Sequence, residues 1–178
     1  WDLKISQDMS GTKINLAGEK QTEPVLQIHL LGPPLVKWQG ELLSIPRRNV
    51  RCLFYRLAAA LCDPGQMLSR EQLYFLFWPD SSDKVASRNL SHLLTHLRRA
   101  LPDSNLVQSM DRNLFLKPDK IWADILLLDR ISNLETNSLS EITEAVNHYR
   151  GPFLHGCSLP KSREYDAWVT TERVIFEQ

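Results

Sequence analysis

Hydrophobic and polar positions change rhythm several times along the chain. Residues 1–24 hold no sustained period, and Gly11, Gly18, Pro24 and scattered charges mark them as a linker or arm, with a short strand at Leu3–Ile5 as one option. From residue 25 the texture sharpens. Val25–Leu31 is apolar and partly alternating, and Gly32-Pro33-Pro34 breaks it. Leu35–Trp38, a Gln39-Gly40 turn and Glu41–Ile45 follow. Short alternating runs separated by turn residues predict three antiparallel strands.

The period then lengthens. Pro46 suits a helix start, where its missing N–H costs little. A first helix is expected from Arg47 to Cys62, because Val50, Leu53, Phe54, Leu57, Ala58 and Leu61 fall within roughly 140° of one another at helical spacing. Pro64-Gly65 ends it. Ser69-Arg70-Glu71-Gln72 fits a capping box, and Leu73, Leu76 and Phe77 give the short helix Arg70–Trp78 an apolar face that Pro79 closes. Asp80–Asp83 is the connecting turn, with Ser82 or Asp83 as cap of a third helix running to about Leu101. On that helix Ala86, Leu90, Leu93, Leu94, Leu97 and Leu101 fall within roughly 100°.

Leu106–Ser109 and Leu114–Leu116 bracket Met110-Asp111-Arg112-Asn113, which reads as a β-hairpin with a charged tip. The order is three strands, three helices and a hairpin. It predicts an α+β winged helix-turn-helix over residues 25–120, with an N-terminal three-stranded sheet and a C-terminal wing. In such units the second helix of the helix-turn-helix enters the major groove of DNA.

From residue 121 the pattern is helical. Helices are expected at Asp124–Ser132, at Ser140–Tyr149 (Ile142, Ala145, Val146, Tyr149) and from Arg163 onward (Tyr165, Trp168, Val169, Glu172, Phe176). Helix pairs of this kind bury their faces by stacking on further pairs. Residues 121–178 are therefore expected to be the start of a longer, truncated all-α domain. The chain also opens at Trp1 without an initiator methionine, so a fragment or processed product is expected.

Charge divides the chain the same way. The formal net charge is zero, with 21 basic and 21 acidic groups. Residues 26–120 carry 13 basic and 8 acidic groups, whereas residues 121–178 carry 5 and 9. A basic middle beside an acidic tail predicts two modules with different partners. Apolar residues make up 43% and charged residues 24%, enough for a core and unlike a disordered chain. No apolar run approaches membrane-spanning length and no secretory signal pattern opens the chain, so no membrane partner is expected.

The third helix carries the sharpest chemical signal. No acid occurs from Lys84 to Leu101. Lys84, Arg88, His92, Thr95 and Arg99 lie opposite its leucines, with Ser91 and Arg98 on one edge and Asn89 and His96 on the other. Such a face suits an anion. Arg88 and Arg99 could give bidentate contacts to guanine, and Thr95 its hydroxyl or methyl to a base. A solvated basic face, with Arg88 folded back on Asp83, is the plainer alternative. Arg47, Arg48 and Arg51 suit phosphate anchoring or a surface charge cluster. The N–H groups opening the second helix near Ser69 and Arg70 could meet a phosphate. Arg112 and Asn113 at the wing tip reach toward the minor groove or simply shape the turn.

Other chemistry is poorly supported. His92 and His96 have the i, i+4 spacing of a zinc pair but lack the intervening Glu and a third ligand. There is no phosphate-cradling Gly-rich loop and no evident nucleophile–His–acid set, so neither an enzyme, a metal nor a cofactor is expected. Cys52, Cys62 and Cys157 form no CxxC pair and read as free thiols of a reducing cytoplasm. His29 and His148 read as structural.

The combination of Leu30-Leu31-Gly32-Pro33, Ile45-Pro46-Arg47-Arg48, Phe77-Trp78-Pro79-Asp80 and the run Ala86–Leu101 resembles the DNA-binding domain of bacterial SARP-type transcriptional activators. Tyr149-Arg150-Gly151-Pro152-Phe153-Leu154 and Ala167-Trp168 resemble the opening of the bacterial transcriptional activator domain that follows it. The resemblance covers about residues 26–178. It implies an OmpR-type winged helix, then a TPR-like helical domain. It also implies a transcription regulator of the cytoplasm (nucleoid) that binds double-stranded DNA as a homodimer on direct promoter repeats and recruits RNA polymerase through its sigma or alpha subunit. Asp111-Arg112-Asn113 stands where relatives often carry glycines. The alternative function is a winged-helix protein–protein interaction module with a helical scaffold. The short Ile121-Trp122-Ala123 junction predicts that the helical part packs firmly on the winged helix.

Overall fold

The computed structural model describes residues 26–132 and 139–177. The arm at 1–24 and the start of the first expected strand, Val25, lie outside the described residues.

Strands β1 (Leu26–His29), β2 (Leu35–Trp38) and β3 (Glu41–Leu42) form the antiparallel meander that the alternation predicts. β3 is shorter than expected, with Leu43 onward turning toward the first helix. Helix α1 (Arg48–Ala59) runs into a 3₁₀ turn at Ala60–Cys62. All six apolar positions expected on its inner face are buried, and Cys52, Tyr55 and Ala59 are buried with them. Strand β4 (Leu68–Ser69) leads into α2 (Arg70–Phe77). The capping box forms as the sequence predicts: Gln72 N–H donates to Ser69 Oγ at 3.1 Å, and Ser69 N–H to Gln72 Oε1 at 2.8 Å. Helix α3 (Asp83–Ala100) is followed by the hairpin of β5 (Val107–Met110) and β6 (Asn113–Leu116).

Two pairings were not apparent from the sequence pattern. β4 adds to the hairpin, giving the sheet order β4-β6-β5. The supposed junction Ile121–Ala123 is a strand, β7, which pairs in parallel with β1. The first sheet therefore runs β3-β2-β1-β7. Two- and three-residue strands carry too few side chains to show a period, so their pairing is a tertiary outcome.

Helices α4 (Asp124–Ser132), α5 (Leu139–His148) and α6 (Arg163–Phe176) complete six helices among the described residues, a mixed α+β fold. Asp124, the first residue of α4, is buried. Its carboxylate accepts from the N–H groups of Leu30 (2.8 Å), Leu31 (2.9 Å) and Ile125 (2.9 Å). Those amides lie at the end of β1 and the start of α4, where no ladder or helix partner serves them. Burial pushes the Asp124 carboxyl above the usual carboxylate range, and the three N–H donors oppose that rise.

The segment between α5 and α6 is laced onto the same region. Arg150 N–H donates to Leu31 O, Gly32 N–H to Pro152 O, Leu154 N–H to Leu30 O and His155 N–H to Gly32 O. Gly32 has φ +103°, and a Cβ there would stand 2.9 Å from Arg150 backbone, so the crossing requires glycine. One buried apolar cluster extends from Leu26 through the three-helix layer to Phe153, Leu154, Leu159, Tyr165 and Val169. Of the apolar positions expected on α5, Ala145 is buried, whereas Ile142, Val146 and Tyr149 are exposed, as is Leu139 at its start. No helix among the described residues is long and apolar enough to cross a membrane.

Candidate nucleic-acid interface

Helix α3 is built to show one face to solvent. Ser82 occupies the N-cap position with extended backbone, but its side chain makes no capping hydrogen bond. Asp83 in the first turn and Arg98 and Arg99 in the last complement the helix dipole. Ala86, Leu90, Leu94 and Leu97 are buried against α1 and α2. Side chains three and four apart share a face. Lys84, Arg88, Ser91, His92, Thr95 and Arg99 are accordingly all exposed along one side, and His96 is half-buried at its edge.

Among the described residues, Lys84, Arg88, His92 and Arg99 enter no ion pair, and Arg88 does not fold back on Asp83. The face keeps its cations unneutralised. The hydroxyls of Ser91 and Thr95 donate to the carbonyls four residues earlier, Ser87 O at 2.9 Å and Ser91 O at 3.0 Å. In this arrangement they offer an incoming group acceptor lone pairs, and Thr95 its methyl, rather than a free O–H.

The arginines around α1 separate into distinct roles. Arg47, just before α1, donates from Nη1 to His96 Nε2 at 2.7 Å, extending the cationic face of α3 sideways. For His96 to accept, its proton sits on Nδ1. Partial burial, then the charges of Arg47, Arg99 and His92, hold His96 below its ordinary imidazole value. Arg48 points elsewhere, toward a recess of about 230 Å³ that it lines with Arg51, Cys52 and Cys157. Successive helical residues lie about 100° apart, so the two neighbours diverge. Arg51 donates to Ile45 O and Pro46 O at 2.9 and 2.8 Å and braces its own loop.

The hairpin lies at the other side of α3. Arg98 donates to Val107 O and Ser109 Oγ and ties the hairpin to the helix. The turn is Asp111-Arg112, with Asp111 at φ +54°, a left-handed conformation that a short polar residue tolerates where glycine is absent. Arg112 is exposed and pairs with Glu71 of α2. Asn113 sits in the ladder opposite Met110 and Ser69.

The opening of α2 is not the free anion site that its sequence allows. Arg70 N–H donates to Arg112 O at 3.0 Å, and the Ser69 and Gln72 N–H groups are occupied within the capping box. Sequence reasoning also missed Glu71 as the partner of Arg112. Only the pairing of β4 with β6 brings them together, and the sequence pattern carried no signal for it.

No protein-family profile and no curated protein sequence matches the chain. Among solved structures, Mycobacterium tuberculosis EmbR, determined in complex with a low affinity phosphopeptide, is similar in fold. The match has a TM-score of 0.60 at 16% identity and covers 87% of this chain and 44% of EmbR. This chain thus spans less than half the length of that structural neighbour, with which it shares its mixed α+β architecture.

Proposed function

We propose that this chain is a sequence-specific DNA-binding transcriptional activator of SARP type, an OmpR-like winged helix followed by the first helices of a TPR-like domain. The observation that carries the reading is the outer face of α3. It is exposed, free of acids after Asp83, and its Lys84, Arg88, His92 and Arg99 are unneutralised among the described residues. The helix stands second in a helix–turn–helix pair and is flanked by a hairpin, the arrangement in which the second helix enters the major groove. The fold shared with EmbR and the motifs that resemble SARP activators support the same reading.

In this reading Arg88, His92, Thr95 and Arg99 meet base edges. Arg47, joined to His96, meets the flanking phosphates, and Lys84 and Ser91 meet backbone or base at the ends of the contact. Arg112 and Asn113 at the hairpin tip approach the adjacent minor groove. Two copies occupy direct repeats, and the acidic C-terminal helices contact a basic surface of RNA polymerase. The chain works in the cytoplasm, without metal or cofactor.

Salt titration of binding to duplex DNA tests the proposal. If each protomer neutralises about five phosphates, log K falls against log salt with a slope near −4.5. A winged helix that docks protein instead of DNA shows no such slope. Selection from random duplexes then yields a repeated motif if α3 reads sequence, and no motif if it does not.

A further inference from the structure

Cys52 lies in the middle of α1 and Cys157 in the segment before α6, more than 100 residues later, yet their sulfurs are 3.9 Å apart. Both are free thiols. Cys52 is wholly buried, whereas Cys157 is only partly covered and borders the recess that Arg48, Arg51, Tyr55 and Ser158 also line. The Tyr165 hydroxyl, fixed by a 3.4 Å bond to the Cys52 carbonyl, stands behind the pair. Cys157 thus borders the recess beside two guanidinium groups, and the fully buried Cys52 is held in reach at the wall of the same recess.

We propose that Cys52 and Cys157 form a peroxide-reactive thiol pair that closes reversibly into a disulfide, fastening the segment before α6 to α1. Cys157 is the attacking thiolate and Cys52 the resolving thiol. The Cys157 sulfur takes one oxygen from hydrogen peroxide, the O–O bond breaks, and hydroxide leaves as the sulfenic acid forms. Cys52 then attacks that sulfur, the S–O bond breaks, and water leaves. Two thiols are oxidised by two electrons and one peroxide is reduced to two waters. A small-molecule dithiol reverses the bond by exchange.

The electrostatics agree with this division of labour. The Cys52–Cys157 hydrogen bond, then the Tyr165 hydroxyl and the charges of Arg51 and Arg48, bring Cys157 down to about 7 against the effect of burial. The same contact, then burial, pushes Cys52 up. The third thiol is a built-in control. Burial, then Asp129, Asp63, Glu172 and Asp124, raise Cys62 to about 12, so it stays a protonated, unreactive thiol.

The experiment treats the whole chain with near-stoichiometric hydrogen peroxide at pH 7 and maps peptides without reduction. A Cys52–Cys157 cross-linked peptide is expected, with the intact mass lower by two hydrogens, Cys62 still free, and the thiols restored by dithiothreitol. Cys157 reacts on the order of a hundredfold faster than Cys62. In Cys52→Ser, dimedone captures a sulfenic acid at Cys157, and Cys62→Ser closes the disulfide unchanged. Three free thiols after treatment, oxidation falling first on Cys62, or only intermolecular disulfides each overturn the proposal. The wild-type peptide map decides even if a variant fails to fold.

Discussion

Arg47 donates a hydrogen bond to His96 across 2.7 Å, linking the approach to α1 with the flank of α3. The two residues lie 49 positions apart, so the contact exists only once α1 and α3 have packed. It fixes the imidazole as an acceptor and excludes its protonated form while the pair stands. His96 is therefore expected to titrate below 6.5, and Arg47→Ala to move it upward, because the adjacent cation is removed. Histidine ring resonances followed by NMR across pH 4 to 8 check both shifts. An unmoved His96 in Arg47→Ala would show that the guanidinium does not govern the ring.

If α3 reads DNA as proposed, readout and anchoring are separable by mutation. Arg88→Ala is expected to cost about 1–3 kcal/mol on the preferred site and to relax the choice at one base pair. Thr95→Ala should relax a neighbouring position. Arg47→Ala should weaken all duplexes alike and reduce the salt slope by about 1. Arg48→Ala should do less, since that side chain borders the cysteine recess rather than α3. Equal losses on specific and random DNA for every variant would leave α3 without a reading role.

Asp124→Ala leaves three backbone N–H donors without an acceptor, at Leu30, Leu31 and Ile125. A loss of about 2–4 kcal/mol is expected from denaturant unfolding, since each buried unpaired donor is costly. Asp124→Asn keeps one carbonyl oxygen in place and should lose less. Near-equal midpoints for wild type and alanine variant would mean that water replaces the carboxylate.

Acid should loosen the fold through His29. Its ring lies 5.0 Å from Trp122 and 6.2 Å from His148, and its buried Nδ1 has no hydrogen-bond partner among the described residues. Burial, then Arg150, Lys37 and His148, hold it at about 4. The unfolded chain takes up that proton near 6.5, so between pH 6.5 and 4 it binds more protons than the fold does, and stability falls as pH falls. The loss should be on the order of 1–2 kcal/mol, because a partly solvated ring retains less than the full linkage. His29→Phe should flatten the urea midpoint across this window, and an unchanged slope would exclude His29 as the source.

The long elements were legible because their periods are long. The apolar face and the acid-free face of α3 are both readable from spacing, as is the Ser69–Gln72 capping box. The helix Asp124–Ser132 falls where its pattern puts it. What escaped depends on contacts between distant residues. β7 is three residues long, and nothing local distinguishes a strand there from a stiff junction. The divergence of Arg47 and Arg48 follows from helix geometry, but which of them faces α3 is decided by packing. Ile142 and Val146 are exposed although their spacing marks an apolar face, because the pattern shows a face and not what covers it.

The parallel pairing of β1 with β7 bears on how the chain is made. Leu30 waits for the carboxylate of Asp124 over 94 residues. At ordinary translation speeds that interval is roughly 5–20 s. Throughout it, one border of the nascent sheet lacks its neighbour, and the ends of β1 lack their acceptor. The ribosome thus exposes a bare strand edge during synthesis, the kind of surface that chaperones shield and that neighbouring nascent chains can invade.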